Sequence, residues 1–311
     1  MVAKLEVKKG LATASVAEYR TSMYKLGRHK TGEYEFDTVY GVGEMTLKSV
    51  TEDDIEGIGA KEGVKKIKAK LPSAHHRDLL DAIHACAHDT YIDEGGRLVI
   101  VFDDLAVRKI LGHTNTDWRD LRLMIADLIG TVISVWSESD DPEIFSILDR
   151  YQVTALDAKR VPGQKQAKLK SITYSEGFVE NLLEKQGQLF INKTVITKIL
   201  SLKNQVSRSA ARFMLSHKGD QHHGIEEVFG YLGFKGAKSQ MYEYLQQIQQ
   251  DKEVLKELGI DLGSGMLHSV RNHGVFFQLP FDMLQAKQTK GFPVKTGAIP
   301  VKTGASKEVI H

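Results

Sequence analysis

The sequence predicts an α+β, mostly helical chain made of two similar units in tandem, with an N-terminal segment before them and a disordered C-terminal tail after them. Three observations predict this. From residue 71, apolar residues recur at helical spacing between short apolar runs that are bounded by glycine and aspartate. The order that results is helix, strand, helix, turn, helix, strand, turn, strand. A comparable order returns after a basic stretch that contains Pro162-Gly163. The length of 311 residues accommodates two domains and a tail.

Residues 1–70 form the N-terminal segment. Residues 33–40 alternate enough for a strand, and the glycines at 41, 43, 57, 59 and 63 interrupt the pattern beyond it. Residues 61–70 are a short basic run, readable as a solvated linker or as a contact to DNA phosphates.

The first unit spans residues 71–158. Ser73, directly after Leu71-Pro72, can cap a helix running to about His88, with Leu80, Ile83 and Ala87 on one face. Residues 97–102 are an apolar run between Gly95-Gly96 and Asp103-Asp104, hence a strand. Asp103 or Asp104 caps a short helix ending at Gly112, with Val107, Ile110 and Leu111 inward. A turn at residues 113–115 leads to a helix over about 116–130, where Trp118, Leu121, Ile125 and Leu128 share a face. Two strand-like runs come next, 131–138 and 143–156, joined by the turn chemistry of Ser139-Asp-Asp-Pro142. Leu148 and Asp149 break the alternation and predict a bulge.

Residues 159–170 carry Lys159, Arg160, Lys165, Lys168 and Lys170 and no acidic side chain, which reads as a basic linker. The second unit spans 171–284. Residues 169–174 are strand-like, and Ser175 caps a helix holding Phe178, Leu182 and Leu183. Residues 194–200 are a further apolar segment. Beyond it lie three helices: Val206, Ala210, Phe213 and Met214 mark the first, Ile225, Val228, Phe229 and Leu232 the second, and Met241, Tyr244, Leu245 and Ile248 the third. After a helical stretch over about 251–258, residues 266–270 and 275–279 read as two strands, with Arg271-Asn-His-Gly274 as the hairpin loop between them. The tail, 285–311, holds two near-identical seven-residue copies, 292–298 and 299–305, rich in proline and glycine and without a core pattern.

Three helices followed by a hairpin is the order of a winged helix. Each helix is too short to bury its apolar face alone, and closure against a hairpin makes one core. Two tandem winged-helix domains are therefore expected.

Composition excludes several classes. Lys+Arg is 42 against Asp+Glu 40, a formal net charge of +2, so nucleic-acid binding has to come from local patches. One cysteine, Cys86, excludes an intramolecular disulfide framework and a four-cysteine zinc site, and points to a cytoplasmic protein. No apolar run reaches ~18 residues and the N-terminus has no apolar leader, so neither a membrane span nor a signal peptide is expected. There is no phosphate-binding Gly-x-x-x-x-Gly-Lys-Ser/Thr loop. The pairs His75-His76 and His222-His223 are adjacent, unlike the spaced histidines of a metal-dependent nickase. His84 and His88 fall at i and i+4 of a helix and could ligate a metal, but Cys86 points to a different face and no third ligand shares theirs; the alternative is a core histidine and a small buried thiol. The sequence thus points away from an enzyme and implies no cofactor.

The binding chemistry gathers in the helix-turn-helix segments, where a second helix presents its N-terminal residues to base edges. In the second unit the outward face of the third helix offers Lys238, Ser239, Gln240, Tyr242, Glu243 and Gln246, with Lys235 just before it. Gln pairs with adenine, and Lys reaches guanine or phosphate. The loop residues Arg271, Asn272 and His273 suit an adjacent phosphate or minor groove. In the first unit the matching positions are Asn115, Thr116, Arg119 and Arg122, diluted by Asp117 and Asp120, which suits backbone contacts. Lys165, Lys168 and Lys170 on the linker would meet the phosphates between the two units.

Residues 172–182, together with 199–215 and its Ser207-Arg208 and Ala211-Arg212-Phe213, resemble the initiator Rep proteins of iteron-containing plasmids, particularly their TrfA-like branch. The resemblance covers about residues 71–280 and rests on pattern and order. It implies tandem winged helices that bind repeated origin sequences (iterons) in double-stranded DNA, promote origin opening, and recruit the host replication initiator and helicase. It also implies a homodimer formed through the first domain. A two-domain winged-helix transcriptional repressor would share the same pattern.

Overall fold

The computed structural model describes residues 5–26, 33–37, 42–48, 69–112, 118–136, 141–154, 169–217, 220–234, 236–263, 266–269 and 275–278. Among these residues it is a mixed α/β chain with four antiparallel sheets.

The N-terminal segment contributes to the core. β1 (Leu11–Ser15) runs into α1 (Val16–Arg20), whose start is fixed by a reciprocal cap: the Ala17 N–H donates to Ser15 Oγ at 3.1 Å, and the Ser15 N–H donates to the Glu18 carboxylate at 2.8 Å. β2 (Tyr34–Asp37), expected from its alternation, pairs with β3 (Val42–Leu47).

The first unit begins with α2 (Ala74–Ala85), capped at Ser73 as expected. The helix does not continue to His88. Ala87–Ile92 is β4, which forms a hairpin with β5 (Leu98–Phe102), the predicted strand. The turn is held by Asp93, whose Oδ1 accepts the N–H groups of Gly95 and Arg97, and Gly96 supplies the positive φ of +74°. α3 (Asp104–Ile110) is capped by Asp103, and α4 (Trp118–Ile129) buries Leu121, Ile125 and Leu128.

β6 (Thr131–Trp136) and β7 (Glu143–Ser146) form the predicted hairpin. The chain then breaks at Ile147, so the expected second run is two strands. β8 (Leu148–Thr154) enters a different sheet, with a register shift between Leu148 and Arg150 where the bulge was predicted.

β8 pairs with β9 (Leu169–Tyr174), which also pairs with β5, giving the order β4-β5-β9-β8. The residues expected to form a linker therefore join two neighbouring strands of one sheet. β5 is buried on both faces, so it needs a partner on each edge and a layer on each side. β4 and β9 supply the edges, and the hairpin β6-β7 turns instead to β3, in the order β2-β3-β6-β7. The first unit thus departs from the expected closure of three helices on their own hairpin.

A helical segment starts after Ser175: α5 (Glu176–Phe178), continued by a π-helical turn over Val179–Glu184. β10 (Gln188–Asn192) leads to α6 (Lys193–Ser201), the apolar segment of the sequence, and α7 (Gln205–Leu215). Next come β11 (Gln221–Gly224), α8 (Ile225–Tyr231), α9 (Lys238–Gln250) and α10 (Lys252–Glu257), then β12 (Ile260–Leu262), β13 (Met266–Ser269) and β14 (Val275–Gln278). β13 and β14, expected as hairpin partners, lie in different sheets. β13 pairs with β11 and β12, and β14 pairs with β10, which also holds β1. The hairpin of this unit is β12-β13, where Ile260, Leu262 and Leu267 face the core and the Gly263 N–H donates to the Met266 carbonyl at 3.0 Å.

The core is continuous through both units. α2 packs against α3, α4, α6 and α7. At its centre is a buried set of charges that the sequence pattern does not reveal. Arg77, 1% exposed, binds Glu18 of α1 and reaches Asp81 through Nε at 3.0 Å. Arg212 of α7 reaches Asp81 at 2.7 Å and Asp78 at 2.5 Å, and Arg208 reaches Asp78 at 3.0 Å. Three guanidiniums and three carboxylates thus tie α1, α2 and α7 together.

Candidate nucleic-acid interface

The second unit presents α9 on its surface. Ile248 is fully buried, while Met241, Tyr244 and Leu245 are half-buried against the core, as their spacing predicted. Tyr244 packs edge-on against Phe234 at 5.3 Å and Phe229 at 5.9 Å between ring centroids. Gly236 precedes the helix because a side chain there would run into the Phe234 ring, at 2.6 Å.

The far end of α9 is clamped to the start of α7. Asp251 is 3% exposed and accepts the N–H groups of Lys203 and Asn204, each at 3.0 Å, and the Asn204 side-chain amide donates to the Gln247 carbonyl at 3.1 Å. Burial would raise the Asp251 pKa, but the hydrogen bonds from Ser207, Lys203 and Asn204 outweigh it and hold the carboxylate below its ordinary value. Asp251→Ala strands these donors and should destabilise the fold by about 2–3 kcal/mol, read from the urea midpoint. Asp251→Asn, which keeps one acceptor oxygen, should lose less.

Lys238, Ser239, Gln240, Tyr242 and Gln246 all lie exposed on α9, and Tyr242 is 61% exposed. Gln240 lies over Tyr244, its amide donating to the hydroxyl at 3.3 Å. The N-cap is Ala237, which offers no side-chain acceptor to the first-turn N–H groups. The Gln240 N–H turns back to the Ala237 carbonyl at 3.0 Å, so the N–H groups of Lys238 and Ser239 are the ones open to an anion at the positive end of the helix. The structure therefore gathers five of the expected residues on one surface of one helix.

The other expected positions divide differently. Lys235, Arg271, Asn272, His273, Asn115, Thr116, Lys165 and Lys168 lie outside the described residues, as do the tail and the Lys61–Lys68 part of the basic run. The strands expected to flank Arg271–His273 do not pair with each other: β13 pairs with β11 and β14 with β10. Arg119 is placed on α4 by its backbone, and Arg122 is half-buried there. Lys170 lies within β9 at 6% exposure, with its neighbours in the strand buried too, so it is not a free linker cation.

His84 and His88 do not share a helix face, since His88 lies in β4. His84 is buried with its Nε2 3.1 Å from the Tyr174 hydroxyl, and burial together with the Arg77 charge pushes its pKa down to about 3. It is a neutral core histidine. Cys86 closes α2, and burial and the nearby Asp103 carboxylate push its thiol up to about 11.

A cleft of about 940 Å³ opens at the start of α2 and brings together Ser73, His76 and Asp127, which the sequence did not relate. His76 Nδ1 accepts the Ser73 N–H at 3.0 Å, and its Nε2 meets Asp127 at 3.1 Å. The Ser73 hydroxyl lies 3.3 Å from the same Nδ1. That nitrogen already serves as the acceptor of a helix cap, so the trio fastens α2 to the end of α4.

No family model matches the chain, and no curated protein matches it. Among solved structures, one described as domain 2 and domain 3 of RctB aligns over 83% of this chain and 99% of its own, at 11% identity and a TM-score of 0.49. A second, of the RctB domains 2-3, aligns over 88% of this chain and 99% of its own, at 10% identity and a TM-score of 0.45. No helix among the described residues is long and apolar enough to cross a membrane.

Proposed function

We propose that the chain is a sequence-specific double-stranded-DNA-binding protein whose second unit is a winged helix that reads bases through α9. The observation that carries this reading is the order α7, β11, α8, α9, α10, β12, β13, with the sheet ordered β11-β13-β12, together with the exposed polar face of α9. A helix held at both ends and exposed along one side is the element that enters a major groove. Tyr242 and the open N-terminal turn suit the sugar-phosphate rim, while Lys238 and Gln240 suit base edges.

Within that reading, the resemblance of residues 172–182 and 199–215 to iteron-plasmid initiators favours an origin-binding role. The protein would bind repeated origin sites, open the adjacent duplex and recruit the host initiator and helicase, with a homodimer as one of its states. It would act by binding, without catalysis or a cofactor of its own.

Footprinting on the DNA that flanks the gene should reveal regularly spaced protected repeats. Paired titrations on that repeat and on a scrambled duplex then test α9. Lys238→Ala and Gln240→Ala should weaken repeat binding by roughly ten- to a hundredfold and scrambled binding much less. Folded variants that keep the wild-type preference would remove α9 as the reader. Protection without duplex opening would favour the transcriptional repressor. Nicking of supercoiled plasmid by the protein with a divalent metal would point to an enzyme.

A further inference from the structure

The outer face of the sheet β11-β13-β12 carries a row of ligating side chains. Antiparallel register places His222 of β11 directly opposite His268 of β13, and His268 directly opposite Asp261 of β12. Directly opposed residues project from the same face, with Cβ atoms about 4.5–5.5 Å apart. The register is pinned from the other side. The flanking rows point inward, where Ile260, Leu262, Leu267 and Ser269 are buried, and a slip of one residue would expose them.

The two imidazoles already touch. Their centroids are 3.9 Å apart and the rings are inclined by only 14°. His222 and Asp261 are exposed and His268 is half-buried, so solvent reaches the row. The side chains of the three form no hydrogen bond or ion pair with another described residue, which leaves their ligating atoms uncommitted among the described residues.

We propose that His222 and His268 form a chelating site for a divalent transition-metal ion of the zinc, nickel or copper class, with Asp261 as the third ligand and water completing the shell. Imidazole nitrogen is the donor these ions favour, and one carboxylate oxygen adds charge. In the structure the rings stack, and no three ligating side chains among the described residues converge on one point. Binding requires the exposed His222 ring to turn about its broad second side-chain torsion until its nitrogen faces the nitrogen of His268. Strand pairing has already brought the three residues onto adjacent strands of one face.

The inference does not depend on DNA binding. Isothermal titration of the full chain with Zn²⁺, and separately with Ni²⁺, should show a saturable ion lost on addition of chelator. His222→Gln and His268→Gln should each weaken that ion at least as much as the roughly 10–100-fold expected when an outer-shell partner is lost. Asp261→Asn should have a smaller effect. Thermal melts would verify folding, since all three changes lie on the solvent face. In the unaltered protein, Ni²⁺ should broaden the imidazole NMR signals of His222 and His268 before those of any other histidine. An affinity unchanged by both histidine variants, first broadening elsewhere, or no saturable ion at all would overturn the assignment.

Discussion

Replacing Arg77 with Met should destabilise the protein by about 3–5 kcal/mol. Total stabilities of domains run to only ~5–15 kcal/mol, so a change of this size is a large part of the whole. Arg77 is almost fully buried and engages Glu18 and Asp81 at once. Methionine preserves much of the volume and the flexible stem, but leaves two carboxylates in the core without that partner. The penalty is the desolvation of those charges, which the lost cation no longer offsets. The triple variant Glu18→Gln, Arg77→Met, Asp81→Asn should recover most of the loss. Glutamine still closes the cap at Ser15, and asparagine still accepts from Arg212. Urea melts of the three proteins provide the comparison. A single-variant loss below ~1 kcal/mol would mean that water reaches this site.

Acid should weaken the fold well before the carboxylates titrate, and His84 is the reason. Its ordinary value is 6.5, and burial with the Arg77 charge pushes it down to about 3 in the folded chain. Between those values the unfolded chain binds a proton that the folded chain refuses. The stability this group confers is therefore complete above about pH 6.5 and is lost as pH falls toward 3, at ~1.4 kcal/mol per pH unit. Over that window the loss amounts to roughly 4–5 kcal/mol. Asp81 adds a second decline. Burial alone would raise its pKa, but Arg77 and Arg212 outweigh burial and hold it below its ordinary 3.8, so its contribution fades only beneath that pH. Denaturant midpoints across this range should fall steadily for the wild type. His84→Gln should flatten the curve above pH ~4 while retaining a polar partner for Tyr174. An unchanged slope in that variant would assign the acid sensitivity to another group.

The same residues show where local pattern stops informing. Arg77, Asp78 and Asp81 sit among Leu79, Leu80, Ala82 and Ile83, so α2 is buried on nearly every side. Along the chain, three charges within five residues resemble a solvated face. A clue was present in Ser207-Arg208 and Ala211-Arg212, since Arg212 occupies a position of α7 flanked by apolar residues, but its partners lie 131 and 134 positions away in sequence. The helix α9 was far more legible. Met241, Tyr244, Leu245 and Ile248 follow the helical period, so the opposite face could be named residue by residue, and the structure leaves it exposed. The β12-β13 hairpin is hidden in the sequence although Ile260-Asp-Leu262 and Met266–Ser269 flank the tripeptide Gly-Ser-Gly, because the longer apolar run 275–279 competes for the same partner.

By itself the sequence determined the helices from α2 to α9 to within a few residues, except α6, which it marked only as an apolar segment; it also determined the caps at Ser73 and Ser175, narrowed that of α3 to Asp103 or Asp104, and located the bulge near Leu148 and the outward face of α9. Each of these depends on neighbours within a turn or two, where side-chain period and capping chemistry act directly. Tertiary structure alone decided which strands pair. β1 joins β10 through Leu11 and Asn192, β8 joins β9 across the basic stretch, and β13 turns to β11 rather than β14. A strand's alternation specifies which side it buries and leaves its edge partner open, because backbone hydrogen bonds are the same for every sequence. The partner is selected by the core that forms around it.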